Sequence, residues 1–464
     1  MTKAQNIDMC SGPLMKSMIR YTIPIILTNF LQLLYNAADL VVIGQFDSHD
    51  AFAAVGATGS LYNLFVTLFV SIAGGGCICV AQYYGARDGK NVSETVHTCV
   101  LFSLITGVIV GLAGIVFVKD ALRLMDTHED ILDMAALYLQ IVFAGTPFML
   151  FYNFAAGILR ATGDTKRPFY ILVVSGAINV CLNIFFVAVL HMSVAGVALA
   201  TTIGSLVNAG FGFYLLANSG DCIRLTVKEL KIHGDKLKQV LNYGIPSGIQ
   251  GLLFSVSNVI IQSAVNSFHE VALVGGSSAS ASIEGFMYTA MNAVAQTALN
   301  FSGQNFGARK YKRVDKVLVN SCIMTTVIGV SMGIFVLIFH EPLLRIYEPH
   351  DMAAVGYGWM RMQLIASTYF ICGLHEALVS TLRGIGSSWP PTLITVVSVG
   401  FVRIVWIFTV FQAYHTLFAL FISWPLTWIV SVILSTIIYQ TTKKKHFAMN
   451  EAKYTDAVPA ADVA

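Results

Sequence analysis

The chain has 464 residues, of which 56% are hydrophobic and only 11% are charged, and its formal net charge is +3. An average soluble domain carries about 25% charged residues, so this composition excludes a protein whose surface meets mainly water. A net charge this small gives no reason to expect a nucleic-acid partner. We therefore predict an all-α polytopic membrane protein that lies in the lipid bilayer.

The first stretch of the chain, MTKAQNIDMCSGP, is polar and has no cleavable signal pattern, so we expect the first membrane span to direct insertion. Twelve apolar runs of spanning length follow, which exceed the roughly 20 residues that cross a bilayer. They lie at about 17–44, 50–84, 92–118, 134–161, 168–190, 193–217, 239–267, 272–306, 313–339, 355–384, 391–412 and 416–440. The runs are continuous rather than alternating, which favours helices over the strands of a membrane barrel.

The first of these runs contains a polar face. Between Asp8 and Asp47 the only acid is Asp39, and Gln32, Tyr35 and Asn36 precede it at helical spacing. A carboxylate at membrane depth costs about 2.5–3.5 kcal/mol and is by default a functional hypothesis. Two interpretations stay open, a carboxylate that faces a cavity and an acid at the membrane rim.

The chain is an internal repeat. Pro24 matches Pro246, Gly85-Ala86-Arg87 matches Gly307-Ala308-Arg309, and Leu159-Arg160 matches Leu382-Arg383, at a nearly constant offset. Each repeat has six spans, so the two are parallel, which is typical of transporters that rock two similar bundles around a central cleft. We predict an N-terminal six-helix lobe (1–217), a cytoplasmic linker (218–239), a C-terminal six-helix lobe (240–440) and a flexible cytoplasmic tail (441–464).

Several residues that can bend or interrupt a helix lie inside the predicted spans. Pro24 and Pro246 occur early in the first helix of each lobe, where proline frees a backbone carbonyl and is expected to bend the helix. Gly74-Gly75-Gly76 is expected either to interrupt the second helix or to allow close packing.

Most of the 28 Lys and Arg residues fall on the side of the even-numbered connections and the two termini. This distribution predicts that both termini are cytoplasmic and that the protein lies in the plasma (inner) membrane. The eight cysteines are scattered through apolar runs, and we interpret all of them as small buried thiols.

Further polar residues lie inside the spans of the first lobe. Asn153 is in the fourth span, Asn179 and Asn183 lie four residues apart in the fifth, and Thr201 is in the sixth. Together with Asp39 they form a candidate site that holds a proton, or Na⁺ through oxygen ligands at Asp39, Asn179 and Asn183. The alternative is that the amides only join helices by hydrogen bonds.

The second lobe also carries polar residues in its spans. We assign five residues of this lobe to a substrate cavity, namely Glu284, Met287, Tyr288, Glu376 and Arg403. Gln32, Tyr35 and Asn36 of the first lobe are assigned to the same cavity. The alternative is that Arg403 forms a structural ion pair with one of the acids. His375, beside Glu376, could titrate near neutral pH or be satisfied by a neighbour.

Motifs for chemistry are missing from the sequence. There is no GxxxxGK[ST] loop for ATP and no nucleophile elbow or metal motif, so we predict that the chain is not an enzyme and needs no cofactor. An ion gradient, of H⁺ or Na⁺, remains as the driving force.

Several segments resemble the multidrug and toxic compound extrusion (MATE) family, in its prokaryotic DNA-damage-inducible-type branch. They include GPLMKSMIRYTIPIILTNFLQLLYNAADLVVIGQF, VAQYYGAR and GILRATGDTKRP in the first half, and GIPSGIQGLLFSVSNVIIQ, FSGQNFGAR and STLRGIGSS in the second. The resemblance implies a twelve-helix antiporter that exports varied, often cationic compounds in exchange for H⁺ or Na⁺. It also implies an ion site at Asp39, Asn153, Asn179, Asn183 and Thr201.

The sequence departs from the family pattern at Asn183, which stands where the fifth-helix pattern has an acid. The departure leaves two expectations, coupling through Asp39 alone or coupling moved to Glu284 or Glu376. Our leading hypothesis is a monomeric secondary active antiporter for cationic or amphipathic drugs. The alternatives are a flippase of a lipid-linked precursor, whose cavity should be basic, and a receptor or scaffold, which the short loops disfavour.

Overall fold

The computed structural model describes residues 6–125, 127–220 and 222–455, and every regular element in these ranges is helical. The longer helices of the first half are α1 (Leu14–Phe46), α2 (His49–Gly85), α3 (Gly89–Leu124), α4 (Glu129–Ala144), α5 (Thr146–Ala161), α6 (Lys166–Ile184) and α7 (Ser193–Ala217). A π-helical segment, Phe185–Val189, extends α6, and a 3₁₀ turn, Val227–Glu229, lies in the linker.

The second half follows the same order. Its helices are α8 (Gly234–Asn266), α9 (Val271–Gly307), α10 (Tyr311–Ile338), α11 (His340–Arg345), α12 (Met352–Gly384), α13 (Trp389–Thr395), α14 (Arg403–Trp406), α15 (Gln412–Tyr414), α16 (Leu417–Phe421) and α17 (Ser423–Thr455). Two π-helical segments, Val396–Val402 and Ile407–Phe411, join α13, α14 and α15 into one span.

Among the described residues, ten helices are long and apolar enough to cross a membrane, and the pair α4–α5, bent by 49°, adds an eleventh. The remaining long helix is α9, with 37 residues. The twelve-helix, all-α prediction is therefore confirmed. The bend in the fourth span falls at Gly145, two residues before Pro147, and proline fits the first turn of a new helix because its missing N–H is not needed there.

The chain divides into two compact units, which we describe separately. Unit 1 comprises Ile23–Gly248 with the residues before Asp8, and unit 2 comprises Asp8–Thr22 with the residues from Ile249 onward. These bounds differ from the predicted lobes at the first turns of α1 and α8. The chain passes from one unit to the other within two residues of Pro24 and of Pro246.

In unit 1 the start of α8 packs closely on α2. A Cβ built on Gly75 would lie 2.3 Å from the carbonyl oxygen of Val240, so a glycine is required there for the two backbones to approach. Nearer the end of α2, the Tyr83 hydroxyl donates to Gln239 Oε1 of α8 at 2.6 Å, so this hydrogen bond joins the same two helices. Gly75 therefore serves close packing inside an unbroken α2, and the predicted interruption of this helix is wrong.

In unit 2 the segment before α1 is bound to the corner between α9 and α10. Asn305 Nδ2 and Lys310 Nζ donate to the carbonyls of Met9 and Cys10 at 3.0 and 2.8 Å. Asp8 closes the turn by accepting hydrogen bonds from Ser11 and from the Cys10 amide. The Ser11 hydroxyl holds the pKa of the Asp8 carboxyl below its usual value, so this turn is stable above the acid range.

The predicted flexible tail is wrong over residues 441–455, because α17 continues to Thr455. Lys443 Nζ lies 2.9 Å from Asp315 Oδ1, and Asn450 Nδ2 donates to the Phe306 carbonyl at 2.8 Å. The Phe447 ring stacks on Tyr311 with centroids 4.5 Å apart. These contacts explain why a polar segment stays helical beyond the membrane span; the rest of the predicted tail, 456–464, lies outside the described residues.

Candidate functional site

Unit 1 contains an open cavity of about 480 Å³. This volume falls within the roughly 300–1,000 Å³ that is usual for small-molecule sites. The wall is built by α1, α2, α5, α6 and α7. It consists of Gln32, Tyr35, Asn36, Asp39, Tyr62, Asn63, Val66, Thr67, Val70, Ser71, Met149, Tyr152, Asn153, Leu172, Ser175, Gly176, Asn179, Thr201, Gly204, Ser205 and Asn208.

The polar face of α1 lies along this cavity. Gln32, Tyr35, Asn36 and Asp39 all line it, as their helical spacing predicts. Asp39 itself is 9% exposed, so its carboxylate is largely withdrawn from solvent but reaches the cavity wall. Of the two interpretations that the sequence left open, the structure places Asp39 on a cavity rather than at a rim.

Two neighbouring helices bind the Asp39 carboxylate. Asn183 Nδ2 donates to Oδ1 at 2.5 Å, and the Thr201 hydroxyl donates to Oδ2 at 3.3 Å. Asn183 Nδ2 also lies 3.3 Å from Asn179 Oδ1, because residues four apart on α6 share one face. Asn183 is fully buried and lies behind Asp39, so it contacts the carboxylate without being part of the cavity wall.

The remaining member of the predicted ion set is less closely connected. Asn153 lines the cavity from α5, but its Nδ2 donates to the Met149 carbonyl at 2.9 Å. The structure thus brings Asp39, Asn179, Asn183 and Thr201 into one hydrogen-bonded cluster and places Asn153 on the same wall beside it.

Sequence reasoning missed the contribution of α2. Asn63, Thr67 and Ser71 line the cavity, and Tyr62 donates its hydroxyl to the Met149 sulfur at 3.2 Å. The signal was present in the sequence, since the three polar residues recur every four positions in an otherwise apolar helix.

The electrostatic character of the cavity is simple. Among the residues that line it, Asp39 is the one acidic residue, and there is no Lys, Arg or His. A single carboxylate in a wall of amides, hydroxyls and phenols attracts cations, because no fixed positive charge offsets it.

Tyr35 depends on a glycine that faces it. Its hydroxyl donates to the Leu172 carbonyl at 3.2 Å, and a Cβ built on Gly176 would lie 1.8 Å from the Tyr35 ring carbon that carries that hydroxyl. The ring therefore occupies the space that any other residue at position 176 would need.

We expect Gly176→Ala to push the Tyr35 ring into the cavity and to weaken binding of a fluorescent cationic dye by about fivefold, the value of one hydrogen bond. Equilibrium titration of the purified protein measures the effect. Gly210→Ala is the matched control on α7, since a Cβ there meets nothing within 4 Å. Equal dye affinity in both variants would contradict this role of Gly176.

In unit 2 the structure corrects the assignment of Glu284 and Met287 to a substrate cavity. Both oxygens of Glu284 accept from Arg361, at 2.9 and 2.8 Å, and Arg361 Nη1 donates to Ser277 at 2.8 Å. Met287 is fully buried in the apolar core of the unit. Glu284 is therefore half of a buried ion pair, and its partner is Arg361 rather than the predicted Arg403.

Arg403 is also buried, at 2% exposure. Its two Nη atoms donate to the hydroxyls of Ser257 and Thr427, each at 3.0 Å, and its guanidinium lies 5.2 Å from the Trp424 ring centroid. Hydroxyls and a ring face thus stabilise this cation. Within the described part of the chain Arg403 forms no ion pair with an acid, and it does not line the cavity of unit 1, so both predictions for it are wrong.

The last two members of the predicted cavity set differ in exposure. Glu376 is buried at 5% exposure, while Tyr288 is 40% exposed. His375, which precedes Glu376, has no hydrogen-bond partner for either ring nitrogen among the described residues, so the expectation of a satisfied histidine is wrong. Neither Glu376 nor Tyr288 belongs to the wall of the cavity in unit 1.

The prolines lie inside continuous helices. Pro24 is in α1 and Pro246 is in α8. Pro24 has no N–H, so it cannot donate the usual helical hydrogen bond to the carbonyl one turn earlier. The Thr28 hydroxyl donates to the Pro24 carbonyl at 2.7 Å. Bending at these positions remains a prediction.

Comparison with known proteins identifies the chain. The model of the MatE family matches residues 24–185 and again 246–409, so that the two matched segments begin at Pro24 and Pro246. The chain belongs to the MatE family. The repeat deduced from the sequence therefore corresponds to two copies of the MatE domain, and members of this family are transporters rather than enzymes.

Relatives of this MatE protein occur in several bacteria. It is 26% identical over 447 residues to "Probable multidrug resistance protein YoeA" of Bacillus subtilis, covering 93% of this chain and 94% of the relative. It is 25% identical over 350 residues to "DNA damage-inducible protein F" of Escherichia coli, covering 71% and 72%.

A solved structure described as the outward-facing conformation of a multidrug resistance MATE family transporter has the same fold. Its TM-score is 0.87 at 19% identity, and the match covers 97% of this chain and 100% of that one. The family resemblance seen in the sequence motifs is confirmed.

Proposed function

We propose that this MatE protein is a secondary active antiporter that exports cationic or amphipathic drugs in exchange for H⁺ or Na⁺. The observation that carries the proposal is the carboxylate of Asp39, alone among amides and hydroxyls on the wall of a 480 Å³ cavity. Such a group can bind an ion and also attract a cationic cargo, which is what an exchanger requires. The names of the relatives in Bacillus subtilis and Escherichia coli support the drug-export part of the proposal.

Competition for one carboxylate gives a simple exchange mechanism. When the ion occupies Asp39, the cavity is neutral and a cationic cargo is released. When the ion leaves, the cavity is negative and takes up the next cargo. The ion and the cargo must favour different states of the transporter, and the prolines of α1 and α8 are candidate hinges for the change.

The donor set suits a proton or a hard cation. The Thr201 hydroxyl lies 3.3 Å from Asp39 Oδ2, and Asn179 Oδ1 lies 3.3 Å from the Asn183 Nδ2 that contacts Asp39. The buried Oδ1 of Asn183 has no hydrogen-bond partner among the described residues. These are oxygen ligands of the kind that hard cations prefer. Because Asn183 replaces an acid, we expect a single charge to be exchanged at this cluster.

The flippase alternative is less favourable. A cargo with a pyrophosphate needs basic residues, and the wall of the cavity in unit 1 contains none. We also propose that the protein lies in the plasma membrane with both termini cytoplasmic, as the distribution of Lys and Arg predicts, and that it works as a monomer.

Reconstituted vesicles test the proposal. We expect uptake or release of a cationic dye to follow an imposed pH gradient or Na⁺ gradient, and to stop when an ionophore for that ion collapses the gradient. Whichever gradient drives the dye identifies the coupling ion. Dye movement that is independent of both gradients would reject ion-coupled export, and movement of a lipid-linked anion instead would favour the flippase.

A further inference from the structure

The extension of α17 forms an antiparallel pair with the first turns of α10. Asp315 contacts Tyr439 and Lys443, at 2.8 and 2.9 Å, while Tyr311, one turn earlier, contacts Phe447 and Asn450. Increasing residue numbers on α10 thus pair with decreasing residue numbers on α17, which shows that the two helices run antiparallel. The polar extension of α17, as far as Asn450, is therefore packed against α10.

This pairing places lysines of both helices on one side. In an antiparallel pair, the residue after each contact residue turns toward the same side. Lys312 and Lys316 follow Tyr311 and Asp315 on α10, and Lys444 follows Lys443 on α17. All three are exposed, as is Lys445 at the outer edge. We call these four residues the lysine patch.

The other side of the extension is covered. His446 donates a hydrogen bond to the backbone carbonyl of Ile385, directly after the end of α12. Lys443 is paired with Asp315, and Arg313 Nη2 donates to the Ser11 carbonyl at 2.7 Å. One further acid, Glu451, lies close to Tyr311 near the end of the helix. Over residues 311–316 and 439–451 five lysines thus outnumber two acids. The charge of the patch is therefore strongly positive.

The position of the patch along the helices matches the edge of a bilayer. After Lys316 the sequence has no charged residue until Glu341, and before Lys443 it has none back to Arg403. Lys316 of the patch and Lys443 beside it are thus the last charges before two long uncharged spans. This is the depth at which lipid phosphates lie, and clusters of basic residues there attract anionic headgroups.

We propose that the lysine patch is a binding site for the headgroup of an anionic phospholipid, built by the docking of the α17 extension on α10. The lipid phosphate would be held by Lys312, Lys316 and Lys444 in the groove between the two helices. This inference does not depend on the proposed transport mechanism, because it concerns a different surface of unit 2.

Native mass spectrometry of the full-length protein, titrated with phosphatidylglycerol or phosphatidylcholine, tests the site. We expect the wild type to retain phosphatidylglycerol preferentially and to lose that preference as salt is raised. Lys312, Lys316 and Lys444, each changed singly to Ala, should weaken phosphatidylglycerol binding by about fivefold. The variant Lys312→Ala/Lys316→Ala/Lys444→Ala should bind both lipids equally.

Two further variants distinguish a built site from general charge. Lys228→Ala/Lys231→Ala removes exposed positive charge from the linker and should leave phosphatidylglycerol binding unchanged. Phe447→Ala/Asn450→Ala removes no charge but undocks the extension, and it should weaken binding by at least fivefold. Unchanged binding in the triple lysine variant, or equal loss in the linker variant, would overturn the proposal.

Discussion

Replacement of Asp39 by Asn is expected to reduce drug resistance to the level of cells that lack the transporter. The amide has almost the same volume as the carboxylate and can still meet Asn183 and Thr201, so the fold should be kept. It cannot carry a negative charge or exchange a proton, so neither the ion nor a cationic cargo is bound by charge. Growth of a pump-deficient strain on graded drug concentrations measures the loss.

The matched control for this variant is Asp133→Asn. Asp133 is an exposed acid that pairs with Lys119 at 2.6 Å, and it does not line the cavity. We expect this variant to retain wild-type resistance. Both variants should be expressed equally in the membrane; resistance at the wild-type level with Asp39→Asn would remove Asp39 from the mechanism.

The second large effect is expected in unit 2, where Arg361 and Glu284 form a buried bidentate pair. Arg361→Met leaves the Glu284 charge buried without its partner, which costs about 3–5 kcal/mol of stability in comparable pairs. The double variant Arg361→Met/Glu284→Met removes both charges, and we expect it to be much closer to the wild type. Thermal unfolding in detergent measures both variants.

A surface pair of the same residue types provides the control. Arg345 Nη2 and Glu341 Oε1 are 2.7 Å apart, but both side chains are about half exposed. Arg345→Met should therefore change the stability by less than about 1 kcal/mol. If Arg361→Met is no more destabilising than Arg345→Met, the pair with Glu284 does not hold unit 2 together.

The fold could be predicted from the sequence because the bilayer imposes a length on each span. The twelve apolar runs correspond to twelve long helical segments, and the repeat anticipated the two matches of the MatE family. The helical extension after residue 440 could not be predicted, because its stability comes from contacts with Tyr311 and Asp315. Those residues are more than 120 positions away in the chain.

The candidate site was predictable where it lies on one helix face. The spacing of Gln32, Tyr35, Asn36 and Asp39 placed them on one side of α1, and the same rule placed Asn179 beside Asn183. The second lobe was harder, because spacing does not tell which charges meet. Glu284 pairs with Arg361, which is 77 residues later on another helix, and this choice depends on the packing of α9 on α12.

The account rests on one linkage, namely that cargo and ion exclude each other at Asp39. The most direct measurement is ion release on cargo binding. A cationic dye is added to the purified protein in weakly buffered detergent solution, and a pH indicator reports the release of H⁺. In a parallel assay the protein is first loaded with radioactive Na⁺, and the release of Na⁺ is counted. The account predicts that the dye displaces one ion from the wild type and none from Asp39→Asn, and that dye affinity falls as that ion is raised. Equal ion release by both proteins, or a dye affinity that is independent of pH and Na⁺, would contradict it.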